Sequence, residues 1–484
     1  MGLSLSSCAV GPDFKPPVAP EARTYAQTPF TQTVAVPGIA GGEAQSLAQN
    51  QNLPSDWWNL FHSRRLSDLT ELAIRNNHDL KAAQAALAVA KETTLAQRGG
   101  FLPSISAGFS ATSTKTSSAL APTPSTNASQ YSLYTPQVSI AYAPDVFGLN
   151  RRAQESLAAQ EEASRYQMAA TYLALTSNVA NAVIQAGALQ SEIKTTRDMI
   201  AVTTKIVETL NYQFQKGYAS RADLAAEEAQ LAQVSATLPP LLTQLNQQKD
   251  LLATLTGQYP GQGEGVGDLP DLSDLTLPTD LPLSLPARLV SQRPDVLQAE
   301  ANMQSSSALI GVAIANRLPN LQLTGDAGSS GLALHDAFGP GGGFWDLGAA
   351  ITAPVFQGGT LLHQERAAKS AYVQATEQYR STVLGAMQSV ADTLSALEHD
   401  AETLKAAAAA TQAAKVSLDI SERQFQAGYA ANLTLLNAQQ TYQQAQITLI
   451  QAQASRYADT TALFLALGGG WWQRSELTGK QDGH

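Results

Sequence analysis

The sequence has little charge, a single cysteine and no long apolar run. Charged residues make up 14% of its 484 positions, a low share for a water-soluble protein. The net charge of −10 argues against nucleic acid as the main partner. With Cys8 as its one cysteine, the chain can form neither an internal disulfide bond nor a cysteine-ligated metal cluster. No run of about 18 apolar residues occurs, so the sequence predicts no membrane-spanning helix.

Signs of enzyme chemistry are also scarce. The six histidines have no metal-ligand spacing, and we interpret them as ordinary surface residues. A glycine-rich stretch at 339–343 lacks the Lys-Ser/Thr pair of a phosphate-binding loop. The sequence therefore predicts a protein that is not an enzyme and that needs no cofactor and no metal ion.

One short phrase is present twice, as Gln-Phe-Gln-Lys-Gly-Tyr-Ala at 213–219 and as Gln-Phe-Gln-Ala-Gly-Tyr-Ala at 424–430. Each copy lies between two long stretches rich in alanine and glutamine. Glycine is favoured where a helix ends, because it adopts the left-handed backbone that closes a helix. Gly217 and Gly428 are therefore each predicted to form the turn of a helical hairpin.

The first half of the chain reads as helices interrupted by a pair of strands. Apolar residues recur at helical spacing, and shorter stretches alternate apolar with polar residues, as strands do. We expect helices over 66–97, 150–214 and 220–255, strands near 102–113 and 133–144, and a loop near 113–132. Pro239 and Pro240 are expected to kink or break their helix, because they remove two amide donors.

The second half repeats this order after a linker at 257–285. Here we expect helices over 286–316, 359–425 and 432–467, with strands near 319–331 and 344–354. Matching landmarks keep a near-constant offset, which is 216 for Pro103 and Pro319 and 211 for Phe214 and Phe425. The sequence thus predicts two structural repeats at 66–256 and 286–467, with an arm at 1–65 and a tail at 468–484.

The predicted strands constrain the assembly. The four strands of one chain are too few to enclose a channel, whereas three chains supply twelve. Strands of about 10 residues are long enough to cross a bilayer, where only a closed barrel leaves no unpaired edge. The expected fold is mainly α with a small β part, namely a trimeric barrel of long antiparallel helical hairpins continued by a twelve-stranded β-barrel.

The amino-terminal arm carries a candidate lipid-attachment site. Leu5-Ser6-Ser7-Cys8 matches a lipobox, in which small residues precede a cysteine that is acylated, although the basic and apolar regions of a signal peptide do not precede it. A lone surface thiol is the alternative interpretation. Residues 9–65 are rich in Pro, Gly, Thr and Gln and are predicted to be extended rather than part of a core. Trp57, Trp58 and Phe61 are predicted to pack against neighbouring helices.

Taken in order, these motifs resemble the TolC-like outer membrane efflux proteins, specifically the NodT-type lipoprotein branch that works with RND pumps. The residues that carry the resemblance span nearly the whole chain: Cys8 to Phe14, Trp57-Trp58, Asn76 with Asp79-Leu80, Arg293 to Val296 with Ala299-Glu300, Gly311 to Pro319, Pro354-Val355-Phe356 and the two glycine turns. The resemblance implies a homotrimeric duct across the outer membrane and periplasm, lipid-anchored through Cys8. It also implies passive export of small toxic compounds, with a periplasmic membrane-fusion adaptor and an inner-membrane RND pump as partners.

The resemblance further implies roles for residues beside the glycine turns. The turns themselves, Gly217 with Tyr218 and Gly428 with Tyr429, would dock the adaptor. Polar side chains of the helix after each turn would narrow the closed tip, and the matching positions are Arg221, Asp223, Thr434 and Asn437. Many relatives have acids where this chain has Thr434 and Asn437, which puts an acidic ring from the second hairpin in doubt. The alternative is that Arg221 and Asp223 are solvated residues at a helix start.

Two other functions remain open at this point. One is a protein-secretion duct of the same architecture that works with an ABC transporter. The other is a soluble helical scaffold without a pore, against which the alternating strands at matched places in both halves argue.

Overall fold

The computed structural model describes residues 9–18, 24–25, 31–49, 51–115, 117, 130–261, 267–284 and 286–478. Cys8 and most of the loop predicted near 113–132 lie outside these residues. The described chain is mainly helical, with a small share of β-structure.

The elements follow one another in a simple order. Those of the first half are β1 (Ser46–Gln49), α1 (Arg64–Asn76), α2 (His78–Arg98), β2 (Ser104–Lys115), β3 (Gln130–Tyr142), α3 (Leu149–Gln215) and α4 (Arg221–Leu255). Those of the second half are β4 (Asp280–Leu283), α5 (Pro286–Val290), α6 (Pro294–Ala315), β5 (Asn320–Ser329), β6 (Gly343–Thr352), α7 (Thr360–Gln426), α8 (Asn432–Ala466) and α9 (Ser475–Thr478). Helices α3 and α7 both have 67 residues and α4 and α8 both have 35, so the longer pair each extend about 100 Å.

The chain divides into two compact units. The first, here called the sheet unit, comprises Met1–Pro17, Leu87–Ala163 and Ala299–Tyr379. The second, the hairpin unit, comprises Val18–Ala86, Ser164–Gln298 and Arg380–His484.

The sheet unit contains a four-stranded antiparallel sheet with the order β2-β3-β5-β6. The pairing places Ile105 opposite Ile140 and Gly325 opposite Leu347. Residues that face each other in this way lie on the same face of the sheet. One face is apolar along all four strands, and its members include Ile105, Phe109, Val138, Ile140, Leu321, Leu323, Trp345, Leu347 and Ile351. The opposite face is largely polar, and its members include Ser106, Ser110, Thr112, Gln137, Ser139, Thr324, Asp326 and Asp346.

Neither face of this sheet is covered within the described chain. On the apolar face, Ile105 is 70% exposed, Trp345 75% and Leu347 78%. A water-soluble protein would bury such a face against a second layer. The sheet is therefore built to meet another apolar medium or another copy of the chain.

The hairpin unit has an aromatic core where the arm meets α8. Trp57, Trp58 and Phe61 are fully buried, and the Trp57 ring lies 5.5 Å from the ring of Phe464, centroid to centroid. Phe61 also contacts Tyr457. The prediction that these aromatic residues pack against helices is confirmed. The prediction that the arm contributes no core is wrong for this part of it.

The linker predicted at 257–285 also contributes to a core. Strand β4 pairs in parallel with β1 of the arm. Leucines of the linker segment are buried at close intervals, namely Leu269, Leu272, Leu275, Leu277 and Leu281. The segment lacks helical or strand periodicity because its leucines point inward from an irregular backbone, which sequence patterns do not reveal.

Two helix boundaries differ from the prediction. The helix expected over 66–97 is divided into α1 and α2 at Asn77, whose side-chain oxygen accepts a hydrogen bond from Leu80 N at 2.9 Å and so caps α2. The break allowed for at Pro239 and Pro240 does not occur, because α4 is continuous through both. Both prolines are exposed, so water can bind the carbonyls that they leave without a donor.

Candidate functional site

The two glycine turns of the hairpin unit have the same geometry. In the first, Tyr218 N donates to Gln213 O at 2.8 Å, and Gly217 has a φ of 81°. In the second, Tyr429 N donates to Gln424 O at 2.8 Å, and Gly428 has a φ of 76°. A bond that spans six residues around a left-handed glycine is the usual closure of a helix carboxyl end, and it explains why both positions are glycine.

Both turns present an aromatic ring to the surroundings. The side chains of Tyr218 and Tyr429 are 84% and 88% exposed. No described atom lies within 4 Å of a Cβ built on Gly217 or Gly428, so the turns are sterically open. Tyrosine is enriched in contacts between proteins, so the two exposed rings mark the turns as candidate contact surfaces.

The helices that follow the turns begin differently. Helix α4 starts with a capping box, in which Ser220 Oγ accepts from Asp223 N at 3.0 Å and Ser220 N donates to the Asp223 carboxylate at 3.4 Å. Ser220 Oγ also donates to that carboxylate at 2.6 Å. Helix α8 starts after Ala431, which offers no side-chain cap. The carboxylate of Asp223 is thus engaged in shaping the start of α4.

The four residues predicted to narrow the tip lie within the first two turns of α4 and α8. Arg221 forms an exposed ion pair with Glu228 at 3.7 Å, and Thr434 and Asn437 are exposed. Among the described residues, no side-chain hydrogen bond or ion pair joins Arg221 or Asp223 to Thr434 or Asn437. One chain therefore brings these side chains to the same end of the hairpin unit without joining them to one another.

Buried polar residues behind these positions are absent from the predicted set. Glu227, Asn432 and Gln439 are at most 4% exposed, and the Asn432 amide of α8 donates to Asp223 O of α4 at 3.3 Å. A sequence signal for Glu227 exists, because it falls at helical spacing between the buried Leu224 and Val234. A carboxylate on an apolar stripe is unusual and marks a position to inspect.

In the sheet unit, the residues that follow Cys8 are fixed by Arg152 of α3. The Arg152 guanidinium donates to Val10 O at 3.0 Å and to Gly11 O at 3.3 Å, and it pairs with the Asp13 carboxylate at 2.8 Å. A Cβ on Gly11 would lie 2.5 Å from the Cα of Gly311, so glycine is required for this close approach.

Comparison with known proteins decides the family. A family model for the outer membrane efflux protein matches residues 69–258 and again residues 285–469, together more than three quarters of the chain. The chain belongs to the outer membrane efflux protein family. The resemblance to TolC-like outer membrane efflux proteins is thereby confirmed, and an outer-membrane location and a role in efflux follow from it.

Individual relatives of this outer membrane efflux protein match over nearly its full length. The pyoverdine export outer membrane protein OpmQ of Pseudomonas putida is 28% identical over 456 residues, which cover 92% of this chain and 94% of that protein. Nodulation protein T of Rhizobium leguminosarum bv. trifolii is 25% identical over 478 residues, which cover 97% and 96%. The solved outer-membrane channel OprN is 24% identical and has a TM-score of 0.83, covering 96% of this chain and 100% of that one. The last likeness concerns the fold.

The described residues offer neither of two other kinds of site. Among the described residues, no group of three or more His, Cys, Asp or Glu side chains is arranged to hold a metal ion. No helix in the described ranges is both long and apolar enough to span a membrane.

Proposed function

We propose that this outer membrane efflux protein forms the exit duct of a tripartite efflux system, through which small toxic compounds leave the periplasm passively. The observation that carries the proposal is the four-stranded sheet with one apolar and one polar face, both uncovered. Lipid outside and water inside is the environment that such a sheet fits.

The proposed assembly is a homotrimer. Strands β2 and β6 lie at the two ends of the sheet order, so each leaves an edge that another chain can pair with. Three chains would close a twelve-stranded barrel, continued by a barrel of helical hairpins. Strands of 10 to 13 residues are long enough to cross the apolar part of a bilayer when tilted.

We further propose the internal repeat as the basis of this design. Each half runs helix, strand, strand, long helix, turn, helix, and the paired long helices have equal lengths. The two separate matches of one family model support repeats at 66–256 and 286–467, with the other segments as arm, linker and tail. Six half-units around one axis would then form the tube.

The proposed partners follow from the ends of the duct. A periplasmic membrane-fusion adaptor would dock on the turns at Gly217-Tyr218 and Gly428-Tyr429, and an inner-membrane RND pump would supply the energy. The periplasmic tip of the duct would be narrowed by Arg221, Asp223, Thr434 and Asn437. An acyl chain on Cys8 would anchor the protein to the outer membrane, as its lipobox suggests.

Deletion of the gene tests the proposal. A strain that lacks this chain is expected to become several-fold more susceptible to at least some compounds of a toxic panel, because the pump loses its exit. The minimum inhibitory concentrations are measured with and without a plasmid copy. Unchanged susceptibility, together with no conductance of the purified protein in planar bilayers, would refute the duct.

A further inference from the structure

Glu227 carries a carboxyl group in an unusual place. It lies in the second turn of α4, it is 0% exposed, and neither of its carboxylate oxygens has a hydrogen-bond partner among the described residues. A buried carboxylate without a partner is strongly destabilised, so the group needs either a proton or access to water. The duct proposed above has no role for a proton or for water at this position.

The polar neighbours of Glu227 do not satisfy it. Asn432, the first residue of α8, turns its amide N–H toward Asp223 O at 3.3 Å, and its own oxygen has no partner in the described structure. Gln439 is 1% exposed, and neither of its amide atoms is bonded there. Gln440 Nε2 donates to Gln230 Oε1 at 2.8 Å. These four residues together with Glu227 are called the α4–α8 seam: Glu227, Gln230, Asn432, Gln439 and Gln440.

Burial sets the protonation of this group. Removal from water raises the pKa of Glu227 above its ordinary value. The nearby Asn432 amide, which donates to Asp223 O and forms no hydrogen bond with the carboxylate, lowers this pKa by less than burial raises it. No charged side chain of the described residues contributes to this shift. Glu227 is therefore a carboxyl group whose charged form its surroundings in the seam do little to stabilise.

The charged residues of the surrounding elements are engaged elsewhere. On α4, Asp223 belongs to the capping box and Arg221 pairs with Glu228 at the surface. From Asn432 to Ile450, α8 carries no charged residue.

The neighbouring long helices supply no partner charge either. Lys205 and Glu208 of α3 are exposed. On α7, burial and the charge of Asp419 raise the pKa of Glu422, and Asp419 acts in the same way on the half-buried Tyr442 of α8. Arg423 of α7 is exposed.

We propose that Glu227 makes the closure of the α4–α8 seam depend on pH: protonated, it lets α4 and α8 stay in contact beside the turns, and ionised, it favours their separation. Separation admits water to the carboxylate and frees the unbonded amides of Asn432 and Gln439 to hydrate. The effect on transport rests on the proposed function, whereas the helix contact does not.

The direction of the pH effect follows from proton binding. The closed seam holds its proton more tightly than the open seam, so closure is favoured at low pH and weakens as pH rises from the ordinary value of a glutamate to the raised one. With one proton per chain, the ratio of open to closed seams changes at most about tenfold per pH unit in that window. Above it, the ratio is constant.

Spin labels on both helices test the contact. Ala226 of α4 and Leu433 of α8 are exposed and receive cysteines for labelling, in a background where Cys8 is changed to serine. The label distance in the purified protein is measured between pH 4.5 and 8. We expect it to lengthen with rising pH in the parent protein and to stay short in the Glu227→Gln variant, whose neutral side chain has the same size.

Two companion variants make the test specific. Glu228→Gln removes an exposed carboxylate one position further along α4. The label distance in this variant should change with pH as it does in the parent protein. Glu227→Asp keeps the acid and should keep the pH response, which also covers the case in which Glu227→Gln fails to fold. A distance that does not change with pH, or that changes equally in Glu227→Gln, overturns the proposal.

Conductance separates this proposal from the duct itself. If the distance lengthens while planar-bilayer conductance stays nil at every pH, the helix contact stands and the duct function fails. A conductance that rises several-fold with pH in the parent and not in Glu227→Gln supports both.

Discussion

At the scale of single residues, the guanidinium of Arg456 on α8 is a buried charge held by several hydrogen bonds. It is fully buried and donates to three main-chain oxygens, those of Gly41, Leu397 and Glu43, at 3.3, 3.1 and 2.9 Å. It thereby fastens the arm to α7 and α8. The charge of Asp400 acts on Arg456, and Asp400 also interacts with the carboxyl group of Asp459.

These two acids predict a pH-dependent stability. Burial, followed by the hydrogen bond and charge of Asp400, raises the pKa of Asp459 to about 7. A folded-state pKa above the unfolded value means that stability is full below about pH 4 and declines as pH rises toward 7. We expect the denaturant midpoint of unfolding of the wild type to fall between pH 4.5 and 7.5, and that of Asp459→Asn to fall less.

Asp392→Asn is the matched control for this prediction. Asp392 lies on α7, as does Asp400, but it is exposed. Its loss should leave the pH profile of the wild type unchanged. A flat wild-type profile, or equal slopes in wild type and Asp459→Asn, would contradict the assignment.

At the scale of elements, the starts of α4 and α8 form a natural pair for comparison. Ser220 and Ala431 occupy the same place, three residues after their glycine, but only Ser220 caps its helix. We expect Ser220→Ala to fray the first turn of α4, since such a cap contributes about 1 kcal/mol. Hydrogen exchange of the backbone amides at 221–224 should then speed up by roughly fivefold.

The reverse change is the control on the other hairpin. Ala431→Ser supplies a hydroxyl where α8 lacks one, so exchange at 432–435 should slow. If Ser220→Ala leaves exchange at 221–224 unaltered, the cap does not determine the order of this turn.

Much of the element order could be predicted from the sequence, because helix and strand periodicities are local properties. The glycine turns are one example, since the left-handed backbone at Gly217 and Gly428 depends on no distant contact. The division at Asn77 was missed because its cap is one side-chain bond in an otherwise helical pattern. The continuity of α4 through Pro239 was missed because an exposed position tolerates the lost donors.

The candidate site was less predictable, since burial depends on which helices meet. The sequence points to exposed residues beside the turns, such as Arg221, and to their roles by resemblance. Glu227 became visible as buried only when α4 was seen against α8. In the same way, the capping role of Asp223 needs the geometry of Ser220.

At the scale of the whole molecule, the apolar face of the sheet predicts where charge is tolerated. Leu347→Lys places an ammonium group on that face, and a lysine facing lipid at mid-depth costs about 2–4 kcal/mol. We therefore expect much less heat-resistant trimer in outer-membrane fractions than for the wild type. The yield is measured on gels run without boiling.

Thr324→Lys is the matched change on the polar face. Thr324 neighbours Gly325, which pairs with Leu347, so both lysines would lie at nearly the same depth. The trimer yield of Thr324→Lys should remain near that of the wild type. Equal yields from both variants would mean that the apolar face does not meet lipid.

The two free margins of the four-stranded sheet have a consequence for the newly made chain. Until β2 and β6 pair with other strands, each has a row of unpaired backbone groups beside an apolar face. Such edges promote aggregation. If other copies of the chain pair with these edges as proposed, a newly made subunit is expected to need a protein that covers the sheet until they do. When such a protein is scarce, this chain should aggregate before any loss of export can be measured.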